Sequence, residues 1–399
     1  MFRQSVSYRG WMIGLVAAGL AAPASGQSTG RGLEIGGFPA VNYDSDEGYG
    51  FGAVAELYHY GDGGVTPYVW TLQPTVFATT EGRRDFTLFF DAPHLLGGGW
   101  RLDAWAGSER HIATPYYGWG NDAEYDETRV TDANPSFYRY GRTRRRLAAN
   151  LQRDVSGLPV RVLFGVGMTR TSVEPVPKGE GTTRYAQEVV DDPDVTEVGW
   201  SNHVRVGLVW DTRDRETAPS RGSWTELIVQ VVDEALASDW SYTRWTLTDR
   251  RYFGLGSRLV LAHRILLQGT SGHVPIRDAQ VLQTSFKQQE ALGGAKSVRG
   301  VLKNRYVGKG MLVWNIELRW RAVDFRLLER SFHVTLSMFL DSGRVWAESI
   351  DLGDLWDDHH RGVGGGIRLG MGNNFTVAFD AATSEETGLP IYIGLGYLY

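Results

Sequence analysis

The sequence of 399 residues has no cysteine, only 14 prolines, and no apolar run of 18 residues or more after residue 26. Without cysteine, a disulfide framework and thiolate chemistry are excluded. A transmembrane helix is excluded as well, since about 20 apolar residues are needed to cross a bilayer. The net charge is −5 at pH 7 and the basic residues are scattered, so nothing favours nucleic-acid binding.

The first 26 residues have the pattern of a secretory signal peptide. Arg3 and Arg9 form the basic start, residues 11–21 form the apolar run, and Ala24-Ser25-Gly26 is a small-residue cleavage site. The apolar run is shorter than a membrane-spanning helix, so we expect cleavage before Gln27 rather than an uncleaved anchor.

The sequence is rich in alternation of apolar and polar residues with a period of two, which indicates strands with one apolar face. In four clear examples the apolar positions are Val204, Val206, Leu208 and Trp210; Leu312, Trp314, Ile316, Leu318 and Trp320; Phe332, Val334, Leu336, Met338 and Leu340; and Ile391, Ile393, Leu395, Tyr397 and Tyr399. The opposite face of the second example carries Glu317, and that of the third carries Asp341.

Sixteen segments are predicted as strands, an even number, as expected of a bacterial single-chain barrel. They cover residues 31–42, 48–60, 67–79, 84–93, 97–110, 136–154, 158–172, 200–213, 221–234, 239–253, 256–270, 309–322, 331–347, 361–371, 374–383 and 390–399. Nothing in residues 27–399 indicates a second domain.

The connections between these strands differ in length according to their order. Long connections follow the fifth, seventh, eleventh and thirteenth strands and cover residues 112–135, 173–199, 271–308 and 348–360. Connections after even-numbered strands are short, as at Gly254-Leu255 and Gly372-Asn373. Short periplasmic turns and long external loops are the rule for outer-membrane barrels, which predicts a periplasmic N-terminus.

Alternation alone also fits a soluble β-sandwich. Two features favour a barrel: aromatic residues recur near strand ends on the apolar face, as in the girdles of membrane barrels, and the chain is expected to be exported. Strands that cross a bilayer must close into a barrel, because open sheet edges cannot remain unpaired in lipid. The predicted fold is therefore all-β, a sixteen-stranded antiparallel transmembrane β-barrel of the outer membrane, over residues 27–399.

A long loop carries an arginine among glycines, in the run Gly293-Gly294-Ala295-Lys296-Ser297-Val298-Arg299-Gly300. The next two strands each place one carboxylate, Glu317 or Asp341, on the polar face that would line the barrel. A guanidinium has a planar fork of donors suited to bridging two carboxylates, and Gly300 permits close backbone approach. We expect the loop to fold into the lumen and to be held there by these charges.

The same residues resemble the superfamily of BamA, TamA and two-partner-secretion barrels, also described as bacterial surface antigen domains. In that family a Val-Arg-Gly-aromatic motif lies in the loop after the eleventh strand; here Val298-Arg299-Gly300 stands at that place, with Val301 instead of the aromatic. Further similar segments are Glu290–Gly294, Asn315–Arg319, Phe339–Trp346, Asp211–Asp214 with Pro219, Arg221 and Gly222, and Tyr392-x-Gly394-x-x-Tyr397-x-Tyr399.

The resemblance implies two sets of site residues. One is a lumenal loop lock made of Arg299, Gly300, Glu317 and Asp341. The other is a C-terminal signal for the barrel-assembly machinery, made of Gly394, Tyr397 and Tyr399. Members of the family usually carry POTRA domains that capture client polypeptides, and residues 27–399 leave no room for one.

The resemblance also implies where the protein acts and what it contacts. We expect an integral protein of the bacterial outer membrane that contacts lipid and is inserted by the barrel-assembly machinery. A separate periplasmic partner or a client polypeptide is a further expected contact. No cofactor, metal or nucleic acid is expected.

Three function classes remain open at this point. The favoured one is assembly, insertion or translocation of polypeptides at the outer membrane, through a weak seam between the first and last strands. The second is a passive or gated channel through the barrel. The third, a hydrolase, is disfavoured because the nine histidines form no recognisable grouping with serine and carboxylate.

Two further groups of polar residues receive no ligand. His359 and His360 follow two aspartates without the spacing of a dedicated metal site. Several arginines are candidates to line the lumen or its rim, namely Arg142, Arg144, Arg145, Arg146, Arg344 and Arg368.

Overall fold

The computed structural model describes residues 31–44, 48–94, 96–176, 181–191, 198–285, 289–327, 330–372 and 375–399. The predicted signal peptide, residues 1–26, lies outside this part of the chain. Within the described ranges, sixteen strands of five or more residues form one antiparallel sheet, as predicted. We number them β1 Gly32–Asp44, β2 Gly48–Gly61, β3 Trp70–Thr79, β4 Arg84–Ala92, β5 Trp100–Pro115, β6 Arg139–Asp154, β7 Val160–Glu174, β8 His203–Asp211, β9 Gly222–Val232, β10 Tyr242–Gly254, β11 Leu259–Gly272, β12 Gly310–Leu327, β13 Arg330–Trp346, β14 His360–Met371, β15 Phe375–Thr383 and β16 Ile391–Leu395.

Each strand pairs antiparallel with the next one along the chain, from β1 through to β16. The two-residue strand Gly199–Trp200 pairs with Arg170 and Thr171 of β7, beyond the part of β7 that pairs with β8. This order needs only hairpin connections, which antiparallel strands permit.

Three predicted strands end four or five residues from the expected position. The strand predicted at 97–110 continues to Pro115. The strand predicted at 309–322 continues to Leu327. The strand predicted at 390–399 stops at Leu395, so the predicted extension to Tyr399 is wrong. Gly396 adopts a left-handed conformation, with φ of 70°, and this turns the chain out of the sheet.

Long connections lie together at one end of the sheet, which we call the long-loop end. They follow β5, β7, β11 and β13 and cover residues 116–138, 175–202, 273–309 and 347–359. Four loops at this end each contain one short helix: Glu127–Arg129, Arg184–Asp191, Glu234–Leu236 and Ile276–Ala279, the third of them between β9 and β10. At the opposite, short-loop end, residues 212–221 join β8 to β9.

The two faces of the sheet have opposite character. On β13, Leu336, Met338 and Leu340 are 38–71% exposed, whereas the alternate residues Phe339 and Asp341 are buried. Other strands have the same exposed apolar face, which in water would be a large unfavourable apolar surface and in lipid is not. In the described part of the chain, no helix is both long and apolar enough to span a membrane.

The sheet encloses the connection between β11 and β12, residues 273–309. The Tyr140 hydroxyl on β6 donates a hydrogen bond to Gln280 at 2.6 Å, and Arg205 on β8 donates to the Thr284 carbonyl at 2.9 Å. Further along the same connection, residues 298–301 contact strands β13 to β16. Contacts to strands on so many sides place residues 273–285 and 289–309 in the interior.

Candidate functional site

Arg299 lies in the interior connection and binds carboxylates on two neighbouring strands. Its Nε and Nη2 donate to the two oxygens of Asp341 at 2.7 and 3.1 Å, and its Nη1 donates to Glu317 at 3.0 Å. All three side chains are completely buried. The structure therefore brings together the three charged residues that the sequence pattern selected.

Three more charged residues join this group, and sequence reasoning did not include them in it. Arg299 Nη1 also donates to Asp380 on β15 at 3.1 Å, Arg319 Nε donates to Glu317 at 2.9 Å, and Arg368 Nη1 donates to Asp380 at 2.5 Å. The cluster thus holds three cations and three anions: Arg299, Arg319 and Arg368 with Glu317, Asp341 and Asp380. Charge balance and mutual hydrogen bonds allow such a group to be buried.

A signal for the additional members was present in the strand alternation. Arg319 lies two residues after Glu317 and therefore on the same face of β12. Arg368 and Asp380 occupy lumen-facing positions of two neighbouring strands. Only the cross-strand register, which sequence alone does not provide, places them beside Arg299.

The backbone around Arg299 fits closely against the barrel wall. Gly300 has φ of 97°, its N–H donates to the Tyr392 hydroxyl at 3.0 Å, and its carbonyl accepts from Ser384 at 2.9 Å. A Cβ on Gly362 of β14 would overlap the Arg299 carbonyl. Glycine at 362 is therefore needed for the loop to lie against β14.

An aromatic ring contacts Arg299, although Val301 stands where an aromatic residue was expected by resemblance. The Phe339 ring of β13 lies 3.3 Å from the guanidinium carbon of Arg299, measured to the ring centroid. Phe339 thus supplies a cation–π contact to the same guanidinium. Val301 itself is buried among apolar side chains.

Apolar residues surround the charged cluster on the loop side. Leu292, Val298 and Val301 of the loop pack with residues of β11, β12 and β13 in one buried cluster, whose strand members are Leu266, Met311, Val313 and Val345. Because these side chains exclude water, the ion pairs are only weakly screened. Burial opposes the charged form of Arg299, but Asp341, Glu317 and Asp380 outweigh it, so the pKa of Arg299 is raised above its ordinary value.

The family assignment rests on most of the chain. The Omp85 superfamily domain matches residues 72–396, which include β4 to β16, all but the first two residues of β3, and the whole charged cluster. The chain belongs to the Omp85 superfamily. It is accordingly an outer-membrane β-barrel of sixteen antiparallel strands, and residues 273–285 and 289–309 lie in its lumen.

Solved structures share the Omp85 fold of this chain. The crystal structure of BamA from Haemophilus ducreyi lacking POTRA domains 1–3 aligns with a TM-score of 0.53 and 16% identity, over 92% of this chain and 69% of that one. CdiB from Escherichia coli aligns with a TM-score of 0.56 and 12% identity, over 90% of this chain and 61% of that one. The sequence has no significant match among curated proteins.

The end of the Omp85 barrel turns inward after β16. Gly394 is in β16 facing the lumen, where an added Cβ would be 4.0 Å from the Lys296 ammonium. Tyr399 is buried in the lumen: its hydroxyl donates to the Ala262 carbonyl of β11 at 3.2 Å, and its own carbonyl accepts from Arg319 at 3.0 Å. The Tyr397 ring lies 4.3 Å from the Arg319 guanidinium carbon. The alternation predicted that Tyr397 and Tyr399 would continue the outer apolar face. That prediction is wrong, because both side chains point into the lumen.

A second ion-pair cluster lies at the short-loop end, and no sequence pattern predicted it. Glu216 of the β8–β9 connection accepts from Arg101 of β5 at 2.8 Å, and Arg101 also binds Asp91 of β4 at 2.7 Å. This joins the connection to two strands that do not pair with β8 or β9. Burial raises the pKa of Glu216, the Arg101 guanidinium lowers it, and the net shift is downward.

The histidines next to Asp357 and Asp358 have other partners. His359 bonds to the Ser342 hydroxyl at 2.7 Å, and His360 stacks on the Tyr306 ring with 3.5 Å between centroids. Over the described ranges, no group of three or more His, Asp or Glu side chains is arranged to hold a metal ion.

Proposed function

We propose that this Omp85 barrel inserts polypeptides into the outer membrane or translocates them across it, by exposing a strand edge between β1 and β16. A strand edge with unpaired N–H and C=O groups can pair with an incoming strand, which is β-augmentation. The first and last strands of a barrel are the natural place for such an edge.

The seam between these two strands carries the proposal. Within the described residues, the backbone of β1 pairs only with β2, and β16 pairs only with β15, from Val377↔Leu395 to Ala381↔Ile391. β1 approaches β15 through a side chain instead: a Cβ on Gly36 would be 3.2 Å from the Phe375 ring. Opening a seam that is closed by side-chain contact requires less free energy than opening one that is closed by a hydrogen-bonded ladder, because no backbone hydrogen bonds between the strands are broken.

The filled lumen supports polypeptide handling over a passive channel. Residues 273–285 and 289–309 occupy the lumen, and we propose that Arg299, Gly300, Glu317 and Asp341 act as a loop lock that keeps them there. The Arg101–Glu216 pair ties a second connection across the short-loop end. Solutes would then have no wide path, while the lateral seam stays available.

We further propose an orientation and a set of partners. With the short-loop end in the periplasm, β1 would begin there, and a separate periplasmic partner could deliver clients to the seam. Gly394, Tyr397 and Tyr399 would be read by the barrel-assembly machinery before the segment folds into the lumen. In this role the protein acts without catalysis.

The test uses proteoliposomes that contain the purified barrel. Insertion of an unfolded outer-membrane β-barrel client is followed by protease protection, and leakage of a trapped small solute is followed in the same vesicles. The proposal predicts faster client insertion than in empty liposomes, with no steady solute leakage. Steady, size-selective leakage without faster insertion would identify a channel and contradict the proposal.

A further inference from the structure

Four arginines lie side by side on the outer wall near the long-loop end. Arg84 of β4 is directly opposite Arg110 of β5, and Arg145 of β6 is directly opposite Arg170 of β7. Ser108, two residues before Arg110 on β5, is opposite Arg145 and joins the two pairs into one row. We call these four residues the outer basic belt.

The belt borders the lipid-facing apolar surface. Phe86, Leu147 and Met168, each two residues from a belt arginine on the same strand face, are 50–59% exposed. Two residues along a strand span about 7 Å, so the arginines lie just beyond the apolar band. Headgroups lie at this depth in a bilayer, and arginine can keep its stem in the apolar layer and its charge among them.

The belt has no anionic partner among the residues that the structure describes. Counting only described residues, no carboxylate oxygen lies within 4.0 Å of any belt guanidinium, whereas the exposed outer-face residue Arg251 is 2.9 Å from Asp249. All four belt residues are exposed. The guanidinium carbon of Arg170 lies 5.7 Å from the centroid of the Trp200 ring.

Two directly opposed pairs of like charges destabilise a sheet unless an anion lies between them. The run 142–146 shows that this charge is separate from the lumen: Arg144 pairs with Glu109 at 2.8 Å and faces inward, while Arg145 faces outward. We therefore expect an anion from outside the protein to bind between the outer arginines and offset their repulsion.

We propose that the outer basic belt binds the phosphate groups of phosphorylated lipid headgroups in the leaflet at the long-loop end. The planar guanidinium fork matches a phosphate, and a row of four along adjacent strands matches a headgroup with more than one phosphate. The belt's place at the edge of the apolar band selects a membrane lipid over a free phosphate ion. This inference does not depend on client handling.

The test measures lipid binding by native mass spectrometry of the full barrel in detergent, with bisphosphorylated lipid A as the probe. The variant R84Q/R110Q/R145Q/R170Q should bind at least tenfold more weakly than the unmodified barrel. R251Q, which removes an exposed but paired outer arginine, should bind as the unmodified barrel does. Lipid A lacking both phosphates should bind all three proteins equally weakly.

Folding of each variant is checked on a gel, where the folded barrel migrates faster before boiling than after it. R84Q/R110Q and R145Q/R170Q serve as milder variants and should lose an intermediate part of the lipid A binding. Equal lipid A binding by the folded fourfold variant and the unmodified barrel would overturn the proposal. Displacement of lipid A by millimolar inorganic phosphate would overturn the assignment to a lipid. Retained binding in high phosphate, together with graded loss across the variants, would support it.

Discussion

Arg319 and Tyr399 connect the end of the chain to the buried charged cluster. Arg319 donates one hydrogen bond to the Tyr399 carbonyl at 3.0 Å and another to the Glu317 carboxylate at 2.9 Å. Glu317 in turn accepts from Arg299 of the interior loop. The loop lock and the segment after β16 therefore share one carboxylate, so a change at either is expected to affect the other.

Replacing Arg319 with glutamine should release the last residues from the lumen. The substitution removes the donor to the Tyr399 carbonyl and the cation beside the Tyr397 ring. Because the chain has no cysteine, L398C provides a single reporter at a position that is now 8% exposed. We expect maleimide to label L398C/R319Q at least tenfold faster than L398C.

The matched control for that experiment is L398C/R251Q, which removes an arginine from the outer face of the barrel. Its labelling rate should equal that of L398C. Equal rates for L398C/R319Q and L398C would show that Arg319 does not hold the segment.

Removing the central cation should destabilise the barrel strongly. Arg299→Gln leaves Asp341 without its cation and weakens the charge balance at Glu317, and breaking a buried ion pair costs about 3–5 kcal/mol. R299Q/D341N removes one charge of each sign. Its loss in free energy of unfolding should be smaller than the sum of the losses in R299Q and D341N. Urea unfolding in micelles, followed by tryptophan fluorescence, measures all three; additive costs would argue against a coupled cluster.

A single methyl group at Gly362 should displace the loop. The added Cβ would overlap the Arg299 carbonyl, and overpacking of this kind typically costs about 1–3 kcal/mol. Gly388, with no atom within 4 Å of an added Cβ and no left-handed φ, is the matched control, and Gly388→Ala should change stability by less than about 0.5 kcal/mol. Equal stability of the two variants would mean that the loop does not lie against β14.

The ion pair at the short-loop end should make stability depend on pH. The folded pKa of Glu216 is lowered, so its pairing with Arg101 stabilises the barrel above the unfolded pKa of about 4.3 and is lost as pH falls through the folded pKa. The difference in Tm between the unmodified barrel and E216Q should be constant from about pH 8 to pH 5 and shrink below about pH 4. A difference that persists unchanged at about pH 3 would contradict this.

The strand pattern could be predicted from sequence because lipid outside and polar residues inside impose a strict period of two. Loop parity and sixteen strands followed from the same rule. Glu317 and Asp341 could also be predicted from the sequence, because each lies on the polar face of a strand that follows the recognised motif. The end of the chain was not, because the left-handed turn at Gly396 interrupts a pattern that reads as strand to Tyr399.

Contacts between distant strands lay beyond sequence reasoning. Asp380 reaches Arg299, and Arg368 reaches Asp380, only through the register of β13, β14 and β15. Arg101 of β5 meets Glu216 of the β8–β9 connection in the same way. In both cases no local pattern relates the partners. The sequence shows that Val301 stands where the family motif has an aromatic residue. That Phe339 of β13 instead provides the ring beside Arg299 could be seen only in the fold.

Site-specific photo-crosslinking of a client tests the seam most directly. A photoreactive phenylalanine analogue is placed at Ile35 of β1, at Ile393 of β16, or at Met338 of β13, all exposed on the outer face. A radiolabelled, unfolded β-barrel client is then supplied to proteoliposomes. We predict client adducts at Ile35 and Ile393 and none at Met338; adducts of equal yield at all three positions, or at none while the client inserts, would contradict the seam.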